Sequence, residues 1–376
     1  MIDSSPPGLS VATDPPVADA TPAVRLDAIS CAFGRTLAVD NLNLDLATGE
    51  FFSLIGASGC GKSTTLRMIA GLQRPTQGRI LIAGRDVTDV RAEKREVNTV
   101  FQHYALFPHL SVFENVAFGL RERRLRGREL NRRVADMLEL VGLADRGGAR
   151  IRELSGGQQQ RVALGRSLIL EPAVLLLDEP LGALDLKLRR QMQMVLKQVQ
   201  NRVGITFLYV THDQEEAFAM SDRVGVMGGG ILAQVGTPQD IYRRPASPFV
   251  ADFVGASNRL GATVTGGGAH GYELSLDADG RRVTAPGCEG LSHGGTASLI
   301  LRPEALRIGD TAGTREMLAG TLIDISFLGS QTMYTVAVEG CGHVTVADSR
   351  PNAPMPPVGD QVQLGFDSRD AWVVSA

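Results

Sequence analysis

The run Gly56-Ala57-Ser58-Gly59-Cys60-Gly61-Lys62-Ser63 fits the spacing G-x-x-x-x-G-K-[ST]. That spacing makes a phosphate cradle for physical reasons. The glycines let backbone N–H groups turn inward around an anion. A helical run, Thr64–Ala70, follows and is closed by Gly71; its N-terminus would add partial positive charge. Lys62 would reach the β- and γ-phosphates of a nucleotide, and the Ser63 hydroxyl would ligate Mg²⁺. The acidic counterpart is Leu175-Leu176-Leu177-Asp178-Glu179-Pro180. Asp178 would hold the metal, directly or through water, and Glu179 would orient or deprotonate an attacking water. Two adjacent carboxylates near a polyphosphate repel each other, and only a metal makes that tolerable. A second anion site lies in Leu154-Ser155-Gly156-Gly157-Gln158-Gln159-Gln160-Arg161, where a Ser-Gly-Gly turn opens the helical run Gln158–Leu170. One chain does not need two phosphate cradles for one nucleotide.

These groups need a scaffold that brings strand ends together. Phe51–Ile55, Val174–Leu177 and Ile205–Val210 are short, apolar and β-rich, as expected of strands buried on both faces. Each ends at a polar residue, where the C-terminal ends of parallel strands meet a ligand crevice. Apolar strand runs alternate with longer helical patterns from about Val24 to Val254, which predicts an α/β domain with a mostly parallel sheet. Between about 103 and 152 the pattern is helical and predicts a helical subdomain inserted in the sheet's connectivity. Arginines 121, 123, 124, 126, 128, 132 and 133 lie there, and with Glu122 and Glu129 they read as a solvated face. From Gly255 the texture changes to glycine-rich segments and short alternating strands: Ala297–Leu301, Thr332–Val338, His343–Ala347 and Gln361–Phe366. This predicts a small all-β domain over 255–376.

Taken in order along the chain, these motifs resemble those of the ABC ATPase family. The Leu154–Arg161 run is similar to that family's signature motif. The resemblance implies a P-loop NTPase fold with an inserted helical subdomain, and ATP and Mg²⁺ as ligands. It implies that Gly56 to Thr64 contact the phosphates. Gln102, in Asn98-Thr99-Val100-Phe101-Gln102, resembles the Q-loop glutamine that senses metal and water and links the sheet to the helical subdomain. His212, in Tyr209-Val210-Thr211-His212-Asp213-Gln214, resembles the switch histidine that contacts the γ-phosphate and holds Glu179. Phe33, in Cys31-Ala32-Phe33-Gly34, fits the aromatic that stacks on adenine. Asp185, in Leu181-Gly182-Ala183-Leu184-Asp185, resembles the D-loop at the subunit interface. The resemblance makes Glu179, His212, Gln102 and Lys62 the candidate catalytic residues, and Ser63, Gln102 and Asp178 the candidate metal ligands. It also implies a head-to-tail dimer, in which Ser155, Gly156, Gly157 and Gln158 of one copy complete the nucleotide site of the other.

The C-terminal part, including Leu301-Arg302-Pro303-Glu304, is similar to the TOBE domain of importer ATPases, an OB-like β-domain. Within the importers, Tyr104-Ala105-Leu106-Phe107-Pro108-His109, Phe113-Glu114-Asn115-Val116 and Gln214-Glu215-Glu216-Ala217 resemble the spermidine/putrescine group. Ferric-iron and phosphonate importers are the alternatives, and an ATP-dependent regulatory sensor is the alternative of another class. The resemblance implies two integral-membrane permease subunits, a substrate-binding protein behind them, and a peripheral place on the cytoplasmic face of the inner membrane. Three positions depart from the pattern: Ala57, Gly182, and Gly165 inside the signature helix, the last costing about 1 kcal/mol of helix propensity.

Composition agrees with this class. The chain has 376 residues, 43% hydrophobic and 21% charged, enough for two domains. No run approaches the roughly 18–20 apolar residues of a membrane helix, so work at a membrane would mean docking to something that spans it. A net charge of −3 argues against general nucleic-acid binding. The four cysteines are scattered without a CxxC pair and read as reduced thiols. Residues 1–23 carry no signal-peptide pattern and read as a disordered tail.

Overall fold

Strand β1 (Val24–Phe33) and strand β2 (Thr36–Leu46) form an antiparallel hairpin, turned by Gly34 at φ 60°. Strand β3 (Phe51–Gly56) leads into helix α1 (Lys62–Ile69), and β4 (Gln77–Ile82), β5 (Arg85–Asp86) and β6 (Val97–Val100) follow. Helices α2 (Val112–Glu122), α3 (Gly127–Leu140) and α4 (Gly156–Leu168) come next. Then β7 (Val174–Asp178), α5 (Leu186–Val203), β8 (Thr206–Val210), α6 (Gln214–Met220), β9 (Arg223–Gly228) and β10 (Ile231–Gly236) complete the first unit. This is a computed structural model that describes residues 21–182, 184–268, 271–309, 316–350 and 356–376. Of the expected disordered tail, residues 1–20 lie outside the described residues, as does Ala183 of the Leu181–Asp185 motif.

The central sheet has the order β10-β9-β3-β8-β7-β6, parallel throughout except for β10. Alternation along its strands decides what lies on each side. Phe51, Leu175, Leu177, Phe207 and Tyr209 share one core with residues of α2, α3, α4 and α5. Their chain neighbours Phe52, Val174, Leu176, Leu208 and Val210 share the other core with α1 and with β1, β2 and β4. Both faces are therefore dry, which is why these strands read as continuous apolar runs. The second layer contains something the sequence reading did not foresee: a separate antiparallel sheet, β2-β1-β4-β5. Its strands alternate polar and apolar residues because only one face is covered.

Register fixes the business end of the sheet. Asp178, the last residue of β7, pairs with Val210, the last residue of β8. The segments after the two strands thus start from the same row.

The chain divides into two compact units, Met1–Pro238 and Gln239–Ala376. The second holds most of α7 (Pro238–Arg243), then α8 (Pro248–Phe253), β11 (Asn258–Gly268), β12 (Gly271–Leu276), β13 (Arg282–Ala285), β14 (Thr296–Leu301) and β15 (Arg307–Ile308). It continues with β16 (Glu316–Phe327), β17 (Thr332–Val338), β18 (Gly342–Asp348), β19 (Gln361–Phe366) and β20 (Ala371–Ser375). Two five-stranded antiparallel sheets, β13-β12-β11-β14-β20 and β15-β19-β16-β17-β18, enclose one core that includes Leu260, Leu299, Tyr334 and Leu364. Arg302 explains why this unit starts before Gly255. It is 6% exposed and donates to the carbonyls of Tyr242 at 2.9 Å, Ala251 at 2.9 Å and Ala256 at 3.1 Å. One buried guanidinium thereby ties residues 242–256 to the β-sandwich.

Candidate active site

The glycines of the 56–63 loop are required by contact as well as by conformation. A Cβ on Gly56 would stand 2.4 Å from both Cys60 Sγ and Met227 O; on Gly61, at φ 106°, it would stand 2.4 Å from Ala38 O. Ala57, Ser58 and Gly59 form the exposed rim, and Cys60 is buried beneath them. Lys62 opens α1 and is 5% exposed. Its Nζ donates to Gly56 O at 2.8 Å and Ala57 O at 3.0 Å. Both acceptors are backbone carbonyls, so neither of these bonds supplies a counter-charge to the ammonium. Ser63 and Thr64 follow in the first turn of α1, whose backbone N–H groups have no partner within the helix. This is the arrangement that binds phosphate.

Ser63 Oγ donates to Asp178 Oδ1 at 3.1 Å. Burial pushes the Asp178 carboxyl above its usual range, against the opposing pull of that hydrogen bond and of Arg67. A desolvated carboxylate beside a hydroxyl is a hard oxygen pair, and the donor set fits Mg²⁺. Among the described residues no group of three or more His, Cys, Asp or Glu could hold a metal alone. The rest of an octahedral shell would have to come from phosphate and water, as Mg²⁺ prefers.

Glu179 departs from the strand in the left-handed region, at φ 45°, immediately before Pro180. Its N–H donates to Val210 O at 2.9 Å. This backbone is costly for a non-glycine residue and turns the carboxylate out of the sheet. His212 meets it there, with Nδ1 3.2 Å from Glu179 Oε1. Gln102 lies exposed after β6, and its Nε2 stands 3.8 Å from where a Gly182 side chain would begin. It thus faces the turn that follows Glu179.

The second cradle stands apart. Ser155 caps α4 by a reciprocal box: its Oγ accepts from Gln158 N at 3.4 Å, and its N–H donates to Gln158 Oε1 at 2.9 Å. Gly156 and Gly157 pack on the start of α5; a Cβ on Gly157 would stand 2.7 Å from Leu188 Cδ1. Asp185 caps α5, its Oδ1 accepting from Leu188 N at 2.9 Å. Among the described residues no hydrogen bond or ion pair joins Ser155–Gln158 to the 56–63 loop. Phe33 is half exposed at the end of β1, and its hairpin partner β2 touches the loop through Ala38.

Sequence reasoning missed three residues that shape the site. Arg166 of α4 donates to Ala105 O at 2.7 Å and Tyr104 O at 3.0 Å. It thereby holds two consecutive left-handed residues, at φ 46° and 59°, just beyond Gln102. Asn115, fully buried, grips the Phe107–Ser111 segment. Arg189 bonds Asp213, the residue after His212, at 3.1 Å. Gly165, which reads as a helix-propensity loss, is a packing contact: a Cβ there would stand 3.3 Å from Met137 Cγ of α3.

The ABC transporter family model matches residues 39–182, and the TOBE domain model matches residues 299–374. The chain is 51% identical over 355 residues to the spermidine/putrescine import ATP-binding protein PotA of Frankia alni, covering 91% of this chain and 76% of that one. The chain belongs to the ABC transporter family. A second relative of that description, from Acidothermus cellulolyticus, is 49% identical and covers 92% of each chain. The Fe(3+) ions import ATP-binding protein FbpC of Rhizobium etli is 44% identical, covering 92% of this chain and 96% of its own. Two solved structures are similar to part of the chain. One is cbiO1 of Clostridium perfringens, part of the ABC transporter complex cbiONQ, with TM-score 0.56 at 29% identity, covering 62% of this chain and 92% of that one. The other is the dimeric post-hydrolysis state of the ATP-binding cassette MJ0796 bound to ADP and Pi, with TM-score 0.51 at 31% identity, covering 57% and 98%. As an ATP-binding subunit of this family the chain is an ATPase coupled to transport. Among its described residues no helix is long and apolar enough to cross a membrane.

Proposed function

We propose that this ABC subunit drives import of polyamines, spermidine or putrescine, by hydrolysing ATP at a site shared between two copies of the chain. The observation that carries the ATPase half is the Glu179–His212 pair at 3.2 Å, standing at strand ends beside Lys62, Ser63 and Asp178. The cargo rests on the high identity to spermidine/putrescine import proteins. The ferric-iron relative keeps iron import as the second reading.

Phosphoryl transfer asks for positioning and charge stabilisation rather than covalent chemistry. The 56–63 loop and the start of α1 hold the phosphates, and Lys62 leaves its two carbonyls to neutralise the γ-phosphate. Ser63 and Asp178, together with Gln102 as the family resemblance implies, would hold Mg²⁺, which would supply Lewis-acid charge when bound. Glu179 accepts a hydrogen bond from the attacking water, whose oxygen displaces ADP at the γ-phosphorus. His212 fixes the Glu179 carboxylate and contacts the same phosphate. Phe33 stacks on the adenine. Ser155, Gly156, Gly157 and Gln158 of a second copy close over the nucleotide, and Asp185 lies at that interface. The subunit works against two membrane permeases at the inner face of the cell membrane, fed by a substrate-binding protein.

Glu179→Gln keeps the shape of the side chain and removes its charge. It is expected to bind ATP and abolish turnover; an unchanged rate of phosphate release would refute the catalytic reading. The cargo is tested by reconstituting the subunit with its co-purified membrane partners and comparing spermidine, putrescine, ferric iron and an aminophosphonate as stimulants of ATP hydrolysis. Polyamine stimulation supports the first reading, and iron stimulation replaces it with the second.

A further inference from the structure

We propose that Arg189 is a positioning residue: it ties the turn at Leu184–Asp185 to the His212 segment and so sets where His212 meets Glu179. The proposal rests on the reading of Glu179 and His212 as a working pair.

Arg189 lies one turn inside α5, its N–H donating to Asp185 O at 2.8 Å. The side chain reaches in three directions. Nη2 donates to Leu184 O at 3.2 Å, Nη1 donates to Asp213 Oδ2 at 3.1 Å, and Nε stands 3.5 Å from Glu216 Oε1. Asp213 follows His212 directly. Its other oxygen caps α6 by accepting from Glu216 N at 3.1 Å, and its own N–H donates to Thr211 Oγ1 at 3.0 Å. Glu216 is 3% exposed and accepts from Tyr209 OH at 2.5 Å and Thr211 Oγ1 at 2.9 Å. Residues 209, 211, 213 and 216 are thus bound into one network, and His212 is the ring projecting from it towards Glu179, at 3.2 Å.

The guanidinium is what lets this network exist as drawn. Burial pushes the Glu216 carboxyl up, and Arg189 opposes that push. Without the cation, the charge of Asp213 would act unopposed on the buried Glu216 carboxyl, and like charges so placed repel. Asp213 is the freer of the two, being about a quarter exposed, so it is the one that moves. His212 is its covalent neighbour and moves with it. Misplacements of about 1 Å are enough to slow a reaction on the order of 100-fold.

The same side chain makes His212 sensitive to the turn before α5. Leu184 and Leu188 carry the packing of Gly156 and Gly157, and Arg189 holds the Leu184 carbonyl. A displacement of the Ser155–Gly157 turn therefore reaches Asp213 through one rigid fork. Coupling along this path is read by a double-mutant cycle.

Steady-state ATP hydrolysis is measured on the full chain for Arg189→Gln, Arg189→Lys, Asp213→Asn, His212→Ala and the double variant Arg189→Gln/His212→Ala, with a thermal melt of each. Arg189→Gln is expected to lower kcat on the order of 10- to 100-fold with little change in KM for ATP, and Arg189→Lys to recover part of that loss. Added to His212→Ala, it is expected to change the residual rate no further, although the melt shifts equally on both backgrounds. Wild-type kcat in Arg189→Gln overturns the proposal, and so does an equal fold-loss with and without His212. If Arg189→Gln does not fold, Asp213→Asn, which retains a capping side chain, decides: a reduced kcat supports the link and an unchanged one overturns it. Full activity in His212→Ala would instead overturn the reading on which the proposal rests.

Discussion

Asn115→Leu tests how the segment between Gln102 and α2 is held. Asn115 is fully buried. Its Oδ1 accepts from Phe107 N at 2.9 Å, and its Nδ2 donates to Phe107 O at 3.1 Å and Ser111 O at 2.9 Å. A fourth contact, to Leu110 O at 3.4 Å, is too long to count for much. Three good neutral bonds are worth about 1 kcal/mol each net. Leucine fills the volume but leaves the Phe107 N–H without its acceptor, a loss of about 1–3 kcal/mol that already contains one of those bonds. The expected total is about 3–5 kcal/mol. At about 2–4 °C per kcal/mol for a unit of this size, the melting midpoint should fall by about 6–20 °C. Two probes separate the units. The single tryptophan, Trp372, lies in the second unit, whereas α2 to α5 lie in the first. Far-UV circular dichroism should therefore shift while tryptophan fluorescence holds. A dichroism midpoint within about 2 °C of wild type would refute the hydrogen-bond accounting.

Two glycines of the site should respond oppositely. Gly56→Ala, whose Cβ meets Met227 O at 2.4 Å, should lose ATP binding, while Gly182→Ser, whose Cβ would have Glu179 O at 3.6 Å as its nearest non-adjacent contact among the described residues, should bind normally and change stability by less than about 0.5 kcal/mol; equilibrium nucleotide titration and urea unfolding check both. Among the described residues the buried Tyr104 hydroxyl has no hydrogen-bond partner, so Tyr104→Phe should match or exceed wild-type stability, by up to about 1 kcal/mol, in the same unfolding assay. Glu50 supplies a pH test. Burial raises its carboxyl above the ordinary value of 4.5, outweighing the Ala47 N–H and Arg223. A raised acid favours the folded state while protonated, so this contribution is complete below pH 4.5 and is lost as pH rises through the higher folded value. Glu50→Gln cannot ionise, and its unfolding free energy should fall less steeply than wild type across that window; parallel curves would contradict the assignment.

What could be read from the sequence was what chemistry forces to be local. Lys62 and Ser63 must follow a glycine loop, and Asp178 must end a strand, so a few consecutive residues carried the reading. Leu175–Leu177 read as a buried strand because both of its faces are covered. Arg189 was not legible, because its meaning lies in Asp213 and Glu216, which belong to another helix. Asn115 is one polar residue on an apolar helix until Phe107 is known to fold back on it. Gly165 looked like lost propensity until Met137 was found against it. The β2-β1-β4-β5 sheet was hidden because its strands alternate like any half-covered strand, and nothing local says which sheet they join.

The pairing of Asp178 with Val210 has a consequence for how this site could be changed. Glu179 and His212 follow adjoining parallel strands, one and two residues past the last rung of a shared ladder. Their separation is set by how many residues each strand spends before it leaves the sheet. One residue inserted into β8 would preserve every functional group, yet the added rung would carry His212 about 3.3 Å along the strand and turn successive side chains to the opposite face. Substitution can retune such a centre in small steps. Insertion or deletion within these two strands cannot, because the ladder admits only whole-residue shifts.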